Sequence, residues 1–137
     1  MVKRPANRAT VERELTEAKG DLDSAKKSLL ESDFKWTIIK AYYSMFHACK
    51  SLLFSAGYVE KSHECLIAAI EELFTDRGIL PPAIVSDLRR AKTAREAADY
   101  GLTYGEASAN GTVQDAEQIF DTISGYLVKQ GFEAPSP

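Results

Sequence analysis

Residues 41–48 read Ala-Tyr-Tyr-Ser-Met-Phe-His-Ala, and this stretch is the most informative part of the chain. It is apolar enough to form a helix at the centre of a helical bundle, yet it carries two tyrosines and a histidine. A buried phenol or imidazole that lacks a hydrogen-bond partner costs about 1–3 kcal/mol. We therefore expect this helix to meet polar groups of other helices or to line a cleft.

A projection of this helix at about 100° per residue separates two faces. Because both faces need partners, the helix is predicted to be the central member of the bundle. His47 is then either a structural histidine bonded to a neighbouring helix or part of a functional site. The main apolar face holds Ile38, Tyr42, Met45, Phe46, Cys49, Leu53 and Ala56, and the second face holds Tyr43, His47, Lys50 and Phe54.

The helix before it is marked by its apolar spacing. From Val11 onwards, apolar residues recur at alternating steps of four and three, which is the seam of a helix packed against a nearly antiparallel neighbour. Asp33 is the predicted N-cap of the central helix, which runs to about Ala56 and stops at Gly57. The seam of the first helix consists of Leu15, Ala18, Leu22, Ala25 and Leu29.

Two further helices are indicated by residues that favour helix ends. Ser62 is a suitable N-cap for a third helix, and Gly78 closes it. Pro81 and Pro82 then open a fourth helix, because proline favours the first helical turn. This helix is predicted to run to about Ala98.

A loop over residues 99–111 is predicted from its content of Gly, Ser and Asn. Thr112 with Asp115 resembles a capping box at the start of a last helix. No strand pattern is present. We expect one domain over residues 8–130, followed by a disordered tail over residues 131–137.

Composition restricts the class of protein. The chain has 137 residues, of which 45% are hydrophobic and 27% charged, an ordinary balance for one globular domain. Lys40 and Lys50 interrupt its most apolar region, so no uncharged run reaches the roughly 18–20 residues of a membrane span. No secretory signal is visible. We expect no membrane association and a cytoplasmic location, with Cys49 and Cys65 as reduced thiols.

The net charge of −3 argues against a general nucleic-acid binder, which needs clustered positive charge. Any such binding must be local. Arg89, Arg90, Lys92 and Arg95 place four cations within seven residues, and they form either a solvated helix face or a local binding site.

Arg95 falls in the middle of the apolar stripe of the fourth helix. A guanidinium cannot shed its charge, so an inward arginine needs an acceptor, and Asp99 and Tyr100 are the nearest candidates. The group is either an internal salt bridge or a phosphate-binding group. We predict that Tyr43 or His47 lies close to it and that the two helices build one polar cleft.

No metal or cofactor site is expected. His47-Ala48-Cys49 and His63-Glu64-Cys65 both read His-x-Cys. Residues two apart on a helix point about 200° away from each other, so neither pair chelates one ion. Phosphate-binding glycine loops and the nucleophile elbow are absent from the sequence.

Three segments together resemble the HEPN domain family, in particular its small stand-alone prokaryotic members. They are residues 42–48, the Lys61-Ser62-His63 opening of the third helix, and the Arg95-Glu96-Ala97-Ala98-Asp99-Tyr100 end of the fourth. The resemblance implies an all-α, up-and-down four-helix bundle with an additional short helix, a homodimer, and binding of RNA or a nucleotide. Many relatives are encoded beside a minimal nucleotidyltransferase and act as the toxin of a toxin–antitoxin pair, so such a partner is also implied.

Ribonucleases of this family carry an arginine followed a few residues later by a histidine. Arg95 matches the arginine, but Tyr100 stands where the histidine is expected. An unperturbed tyrosine titrates near pH 10 and is a poor general base, so a metal-independent endoribonuclease would need His47 or His63 through space. The candidates for catalysis are Arg95, Tyr100 and His47, and those for binding are Arg95, Asp99, Tyr100, Tyr43, His47 and His63. The alternative is a non-catalytic module for dimerisation and partner recruitment.

Overall fold

Side chains that cap backbone N–H groups set the starts of two helices in the computed structural model, which describes residues 2–60, 62–101 and 104–136. Helix α1 spans Arg8–Leu30, and the side chain of Asn7 accepts the N–H of Thr10 at 3.1 Å. Helix α3 spans His63–Ile70, and Ser62 accepts the N–H of Cys65 as predicted. The other helices are α2 (Phe34–Ser55), α4 (Ala83–Asp99) and α5 (Glu106–Lys129), with a π-helical segment (Glu71–Thr75) after α3.

Helices α1, α2, α4 and α5 form an up-and-down bundle with α2 at its centre. Helix α2 packs against α1, α3, α4 and α5. Glu14 contacts His47 and Ser28 contacts Lys40, so α1 and α2 are antiparallel. Helices α4 and α5 are likewise antiparallel, because contacts join residue 90 to 115 and residue 98 to 109. The predicted all-α fold and the central place of the second helix are confirmed.

Asp33 precedes α2 as predicted, but its carboxylate makes no capping bond. Its carbonyl oxygen instead accepts both the N–H and the hydroxyl of Thr37, at 3.0 and 2.7 Å. The predicted end of the helix is correct: α2 stops at Ser55, and Gly57 adopts a φ of +85° that glycine tolerates.

The start of the last helix is an error of the sequence analysis. Helix α5 begins at Glu106, so residues 106–111 are helical, and Thr112 is not an N-cap: its hydroxyl donates to the carbonyl of Ser108 at 2.8 Å. Asp115 pairs with Arg90 instead of completing a capping box. The helix extends backwards because the fully buried Ala109 packs against Ile38 and Ala98, and this burial outweighs the low helix propensity of Asn and Gly.

The sequence analysis also missed a pair of two-residue strands. Strand β1 (Val2–Lys3) pairs with β2 (Tyr58–Val59) in an antiparallel register. Arg4 N–H donates to the carbonyl of Gly57 at 2.8 Å, and a Cβ at Gly57 would lie 3.3 Å from the carbonyl oxygen of Arg4. Strands this short carry no alternation that a sequence pattern would reveal.

The domain limits of 8–130 and the disordered tail stay predictions. Phe132 packs against the core, and Arg8 donates to the carbonyl of Gly131 at 2.7 Å. Lys61, part of one segment that resembles the HEPN family, lies outside the described residues, as do residues 102, 103 and 137. No helix within the described ranges is long and apolar enough to cross a membrane.

Candidate functional site

Arg95 points inward from α4, as its position on the apolar stripe predicts, and its side chain is 21% exposed. Its guanidinium carbon lies 5.3 Å from the centre of the Tyr42 ring. Nη1 lies 3.5 Å from the Tyr43 hydroxyl and 3.5 Å from Oδ2 of Asp99, and Nε is buried with no partner among the described residues. Of the two residues predicted as alternatives, Tyr43 or His47, it is Tyr43 that lies close to Arg95.

The contact with Asp99 is a weak ion pair. Both contacts of Nη1 are at the long limit of a hydrogen bond, and the Asp99 side chain is 42% exposed. Exposed ion pairs contribute about 0–1 kcal/mol. Stacking on Tyr42 therefore does most to hold the guanidinium, and its second terminal nitrogen is not engaged by the described part of the chain.

His63 is the histidine that the fold brings to this region. Its Nδ1 lies 2.8 Å from the hydroxyl of Tyr42. Its ring lies 5.3 Å from the Tyr42 ring, 6.0 Å from the Tyr43 ring and 4.3 Å from the Phe46 ring, measured between centres. We call Tyr42, Tyr43, His63 and Arg95 the Arg95 cluster.

The titration of the cluster follows from burial and charge. Burial, and then the positive charges of Arg95 and Lys92, lower the pKa of His63 below its ordinary value of 6.5, so the imidazole is neutral at pH 7. Burial raises the pKa of Tyr42 above its ordinary value of 10, although the charge of Arg95 opposes this shift. The cluster therefore combines a neutral imidazole, a protonated phenol and a permanent cation.

The four cations of α4 are mostly engaged by carboxylates. This pairing supports the solvated-face interpretation for three of them and leaves Arg95 as the cation whose donors are least used. The ion pairs join Arg89 to Glu64 and Glu71, Arg90 to Asp87 and Asp115, Lys92 to Glu64 and Glu96, and Arg95 to Asp99.

His47 faces a different helix. Its Nδ1 lies 2.6 Å from Glu14 and its Nε2 lies 3.6 Å from Asp21, so both ring nitrogens are directed at carboxylates of α1. Lys50 lies 3.5 Å from the other oxygen of Glu14. The structure therefore does not bring His47 to Arg95, and its contacts are those of the structural interpretation.

Tyr100, the last of the predicted site residues, is not a member of the Arg95 cluster. Tyr100 is 78% exposed, and its described contact is a backbone hydrogen bond to Glu96. The sequence analysis placed Tyr42 on the apolar face and missed its role, although a hydroxyl on that face was a signal. Cys49 is fully buried, and burial raises the pKa of its thiol to about 12.

Cavities elsewhere do not involve the Arg95 cluster. One of about 130 Å³ lies between α4 and α5 and is lined by Ile84, Asp87 and Ile119 among others. At the predicted cleft, the side chain of Arg95 is 21% exposed and Tyr42 is 2% exposed. Among the residues that the structure describes, no three His, Cys, Asp or Glu side chains are placed to hold a metal ion.

Comparison with known proteins adds a family. A sequence model of the HEPN domain matches residues 11–126. A "UPF0332 protein" of Archaeoglobus fulgidus is 37% identical over 87 residues, which cover 64% of this chain and 68% of that protein. A protein of Methanocaldococcus jannaschii named "Putative toxin MJ0605" is 28% identical over 102 residues, which cover 73% of this chain and 76% of that protein.

A solved structure shares the fold. The crystal structure of TT1696 from Thermus thermophilus superposes with a TM-score of 0.72 over 85% of this chain and 97% of that chain. Its sequence is 20% identical, so the likeness concerns the arrangement of helices alone.

Proposed function

This chain belongs to the HEPN domain family, and from that premise we propose that it binds RNA or a nucleotide at the Arg95 cluster. We further propose that it is the HEPN component of a toxin–antitoxin or related RNA-targeting system. The name of the Methanocaldococcus relative supports the toxin part of this proposal. The geometry of Arg95 supports the binding part.

The observation that carries the proposal is the unused donor capacity of Arg95. The side chain is held inward by the Tyr42 ring, with two contacts of 3.5 Å on one nitrogen and a buried Nε without a partner in the described ranges. Planar N–H donors of arginine match phosphate oxygens in pairs. A phosphate oxygen would supply an acceptor to the second terminal nitrogen, which is not among the buried unpartnered atoms.

Neighbouring rings suit the remainder of a nucleotide. Tyr43, Phe46 and His63 are half-buried, so one edge or face of each ring meets solvent. Single-stranded RNA is bound by stacking of its bases on aromatic side chains beside cations. This combination favours single strands or free nucleotides over duplex RNA.

Arg95→Ala tests the proposal. We expect this variant to bind a labelled single-stranded RNA at least about tenfold more weakly than the parent chain, because a charge-assisted pair to phosphate contributes about 1.5–3 kcal/mol. Fluorescence anisotropy at fixed salt measures the binding, and circular dichroism checks that the helices persist. Arg77→Ala is the matched control, because it removes an exposed arginine in the turn after the π-helical segment. Equal affinities of the Arg95→Ala and Arg77→Ala variants would contradict the proposal.

We assign binding rather than cleavage as the function. Metal-independent cleavage requires a group that accepts the proton of the 2′-hydroxyl, and the family's histidine is replaced by Tyr100. His63 is the imidazole that would have to take this role. Degradation of RNA in the presence of EDTA by the parent chain, and its loss in Arg95→Ala, would extend the assignment to a metal-independent endoribonuclease.

A second candidate function, dimerisation and recruitment of a partner, is favoured by one end of the bundle. The ends of α1 and α4 meet the starts of α2 and α5 there, and Ile38, Ala98 and Ala109 form a small core. Large apolar side chains remain exposed around it, which is typical of a protein interface. We call this surface the Trp36 patch; its members are Leu30, Trp36, Tyr100 and Tyr104.

We propose a second copy of the chain as the occupant of the Trp36 patch, and a minimal nucleotidyltransferase as a further partner of the complex. We propose the dimer together with RNA binding, because the Arg95 cluster and the Trp36 patch have no residue in common. Co-purification from the native host, followed by a test for nucleotidyltransferase in the eluate, examines the second partner.

A further inference from the structure

We propose that Tyr42 is a positioning residue that holds His63 in the tautomer with its proton on Nε2, so that His63 and Arg95 together offer hydrogen-bond donors to one phosphate. The tautomer follows from the geometry around the Tyr42 hydroxyl, and the protonated state of that phenol supports it. The phosphate as ligand rests on the proposed function.

The direction of the bond between Tyr42 and His63 follows from what else surrounds the phenol. The hydroxyl lies 2.8 Å from Nδ1, and Tyr42 is 2% exposed. If Nδ1 donated, the phenol hydrogen would need a different acceptor, and no other described residue hydrogen-bonds this hydroxyl. A buried donor without an acceptor is strongly disfavoured. The phenol therefore donates and Nδ1 accepts, which leaves the proton of the neutral ring on Nε2.

The phenol of Tyr42 is not ionised in the neutral range, so its hydrogen is available to Nδ1 of His63. Burial raises the pKa of Tyr42 above its ordinary value, so the hydroxyl keeps its hydrogen throughout the neutral range. The ring of Tyr42 also carries the guanidinium of Arg95 at 5.3 Å. One buried side chain thus orients both polar groups of the cluster, His63 through its hydroxyl and Arg95 through its face.

The Nε2 edge of the His63 ring is exposed to solvent. His63 is half-buried, its Nε2 has no hydrogen bond to the described residues, and it is not among the buried unpartnered atoms. Burial, and then the charges of Arg95 and Lys92, lower the pKa of the ring. The unpaired donors of His63 and Arg95, whose side chains both contact the Tyr42 ring, suit an anion that carries several acceptor oxygens, as the phosphate of RNA or a nucleotide does.

This tautomer also has a chemical consequence. With its proton on Nε2, the imidazole donates to a bound phosphate and does not accept the proton of a 2′-hydroxyl there. Binding without rapid cleavage is the expected behaviour of such a site.

Nuclear magnetic resonance of the full chain labelled with nitrogen-15 tests the tautomer directly, since the chain has 2 histidines. At pH 7.5, long-range proton–nitrogen spectra should show His63 with a protonated Nε2 and a hydrogen-bonded, unprotonated Nδ1. Tyr42→Phe should shift the Nδ1 resonance towards that of an unbonded ring nitrogen and raise the pKa of His63, because the lost bond stabilised the neutral ring. A protonated Nδ1 in the parent chain, or a lowered or unchanged pKa in Tyr42→Phe, would overturn the assignment.

Tyr43→Phe is the control for this experiment. Its hydroxyl contacts Arg95, and its ring meets His63 only edge to face. We expect the Nδ1 resonance of His63 to stay in place in this variant. A shift as large as that in Tyr42→Phe would contradict a specific role for Tyr42.

Titration with a short single-stranded RNA tests the ligand. The Nε2 resonance of His63 should move on binding, and Tyr42→Phe should weaken binding several-fold while circular dichroism stays unchanged. An unmoved Nε2 in an RNA-bound chain would refute the donor pair. If the RNA does not bind at all, the proposed function fails, and the spectra of the free chain still decide the tautomer.

Discussion

Tyr43 and His47 show how far a single residue can be interpreted from sequence. Both lie on one face of a projected helix, four residues apart, and the analysis treated them as alternatives beside Arg95. In the structure Tyr43 meets α4 and His47 meets α1. A projection tells which residues share a face, but it does not tell which neighbouring helix covers each end of that face.

His63 was among the predicted candidates for binding, but its contact with Tyr42 could not have been assigned from the sequence, for a related reason. Its contact with Tyr42 spans 21 residues and depends on the turn after α2. Arg95 was predictable, because a cation inside an apolar stripe is conspicuous in any helical projection. The part of the site that follows from local periodicity was therefore predicted, and the part that depends on how α3 docks was not.

The pKa of Glu14 gives a prediction for a single residue, namely how its contribution to the free energy of unfolding depends on pH. Burial alone would raise its pKa, but the hydrogen bond with His47 and the charge of Lys50 outweigh burial, and the pKa is lowered from 4.5. A lowered pKa in the folded state stabilises the fold above pH 4.5, and this contribution disappears as the pH falls through the lowered value. We therefore expect Glu14→Gln to destabilise the fold by about 1–3 kcal/mol at pH 7.

Urea denaturation at several pH values measures this difference. The gap between Glu14→Gln and the parent chain should close under acid conditions, when Glu14 itself is protonated. Glu31→Gln is the control, because Glu31 is exposed just after α1, and it should change stability little at any pH. A gap that stays constant down to pH 3 would count against the pairing of Glu14 with His47.

At the scale of elements, helices with strong periodicity and clear ends were predicted well. Asp33, Ser62 and Gly57 mark ends that the structure retains. The start of α5 was missed because Asn110 and Gly111 indicate a loop by composition. These residues are nevertheless helical because Ala109 is buried. This burial depends on the packing of α5 against α2 and α4, which the local sequence does not show.

Gly111→Ala tests the early start of α5. Gly111 lies inside the helix, and a Cβ there would meet no atom within 4 Å. Replacing glycine by alanine inside a helix stabilises it by about 0.5–1 kcal/mol, so we expect Gly111→Ala to raise the melting temperature. Gly20→Ala in α1 has the same open surroundings and should behave alike.

Gly78→Ala supplies the contrast. Gly78 has a φ of +71°, which alanine tolerates poorly, so this variant should melt at a lower temperature. If Gly111→Ala also melted at a lower temperature than the parent chain, residues 106–111 would not be helical, and the loop predicted from the sequence would be correct.

At the scale of the whole molecule, charge and apolar surface are distributed unequally. The cations of α4 are paired across to neighbouring elements, through Arg89 to Glu71 and through Arg90 to Asp115. These pairs connect α4 to neighbouring elements and leave little free positive charge for a polyanion. RNA binding is therefore expected to be local and to depend on few phosphates, which gives a shallow dependence of affinity on salt.

The Trp36 patch gives the prediction at this scale. Leu30 is 88% exposed, Tyr100 is 78% exposed and Trp36 is 49% exposed. Burying such side chains against a second copy contributes about 25 cal/mol for each Å² of apolar surface. We expect light scattering at micromolar concentration to give twice the 15.1 kDa of one chain.

Trp36→Glu should convert this dimer to a monomer, because it would bury a charge in the interface. Val128→Glu is the control: Val128 is 50% exposed near the end of α5, away from the patch. Trp36 is the single tryptophan, so its emission should shift to shorter wavelength as the concentration rises and the dimer forms. A monomeric parent chain would contradict the dimer, and dissociation by Val128→Glu but not by Trp36→Glu would place the interface elsewhere. In either case the exposed rings of Tyr100 and Tyr104 would be free to stack on RNA bases.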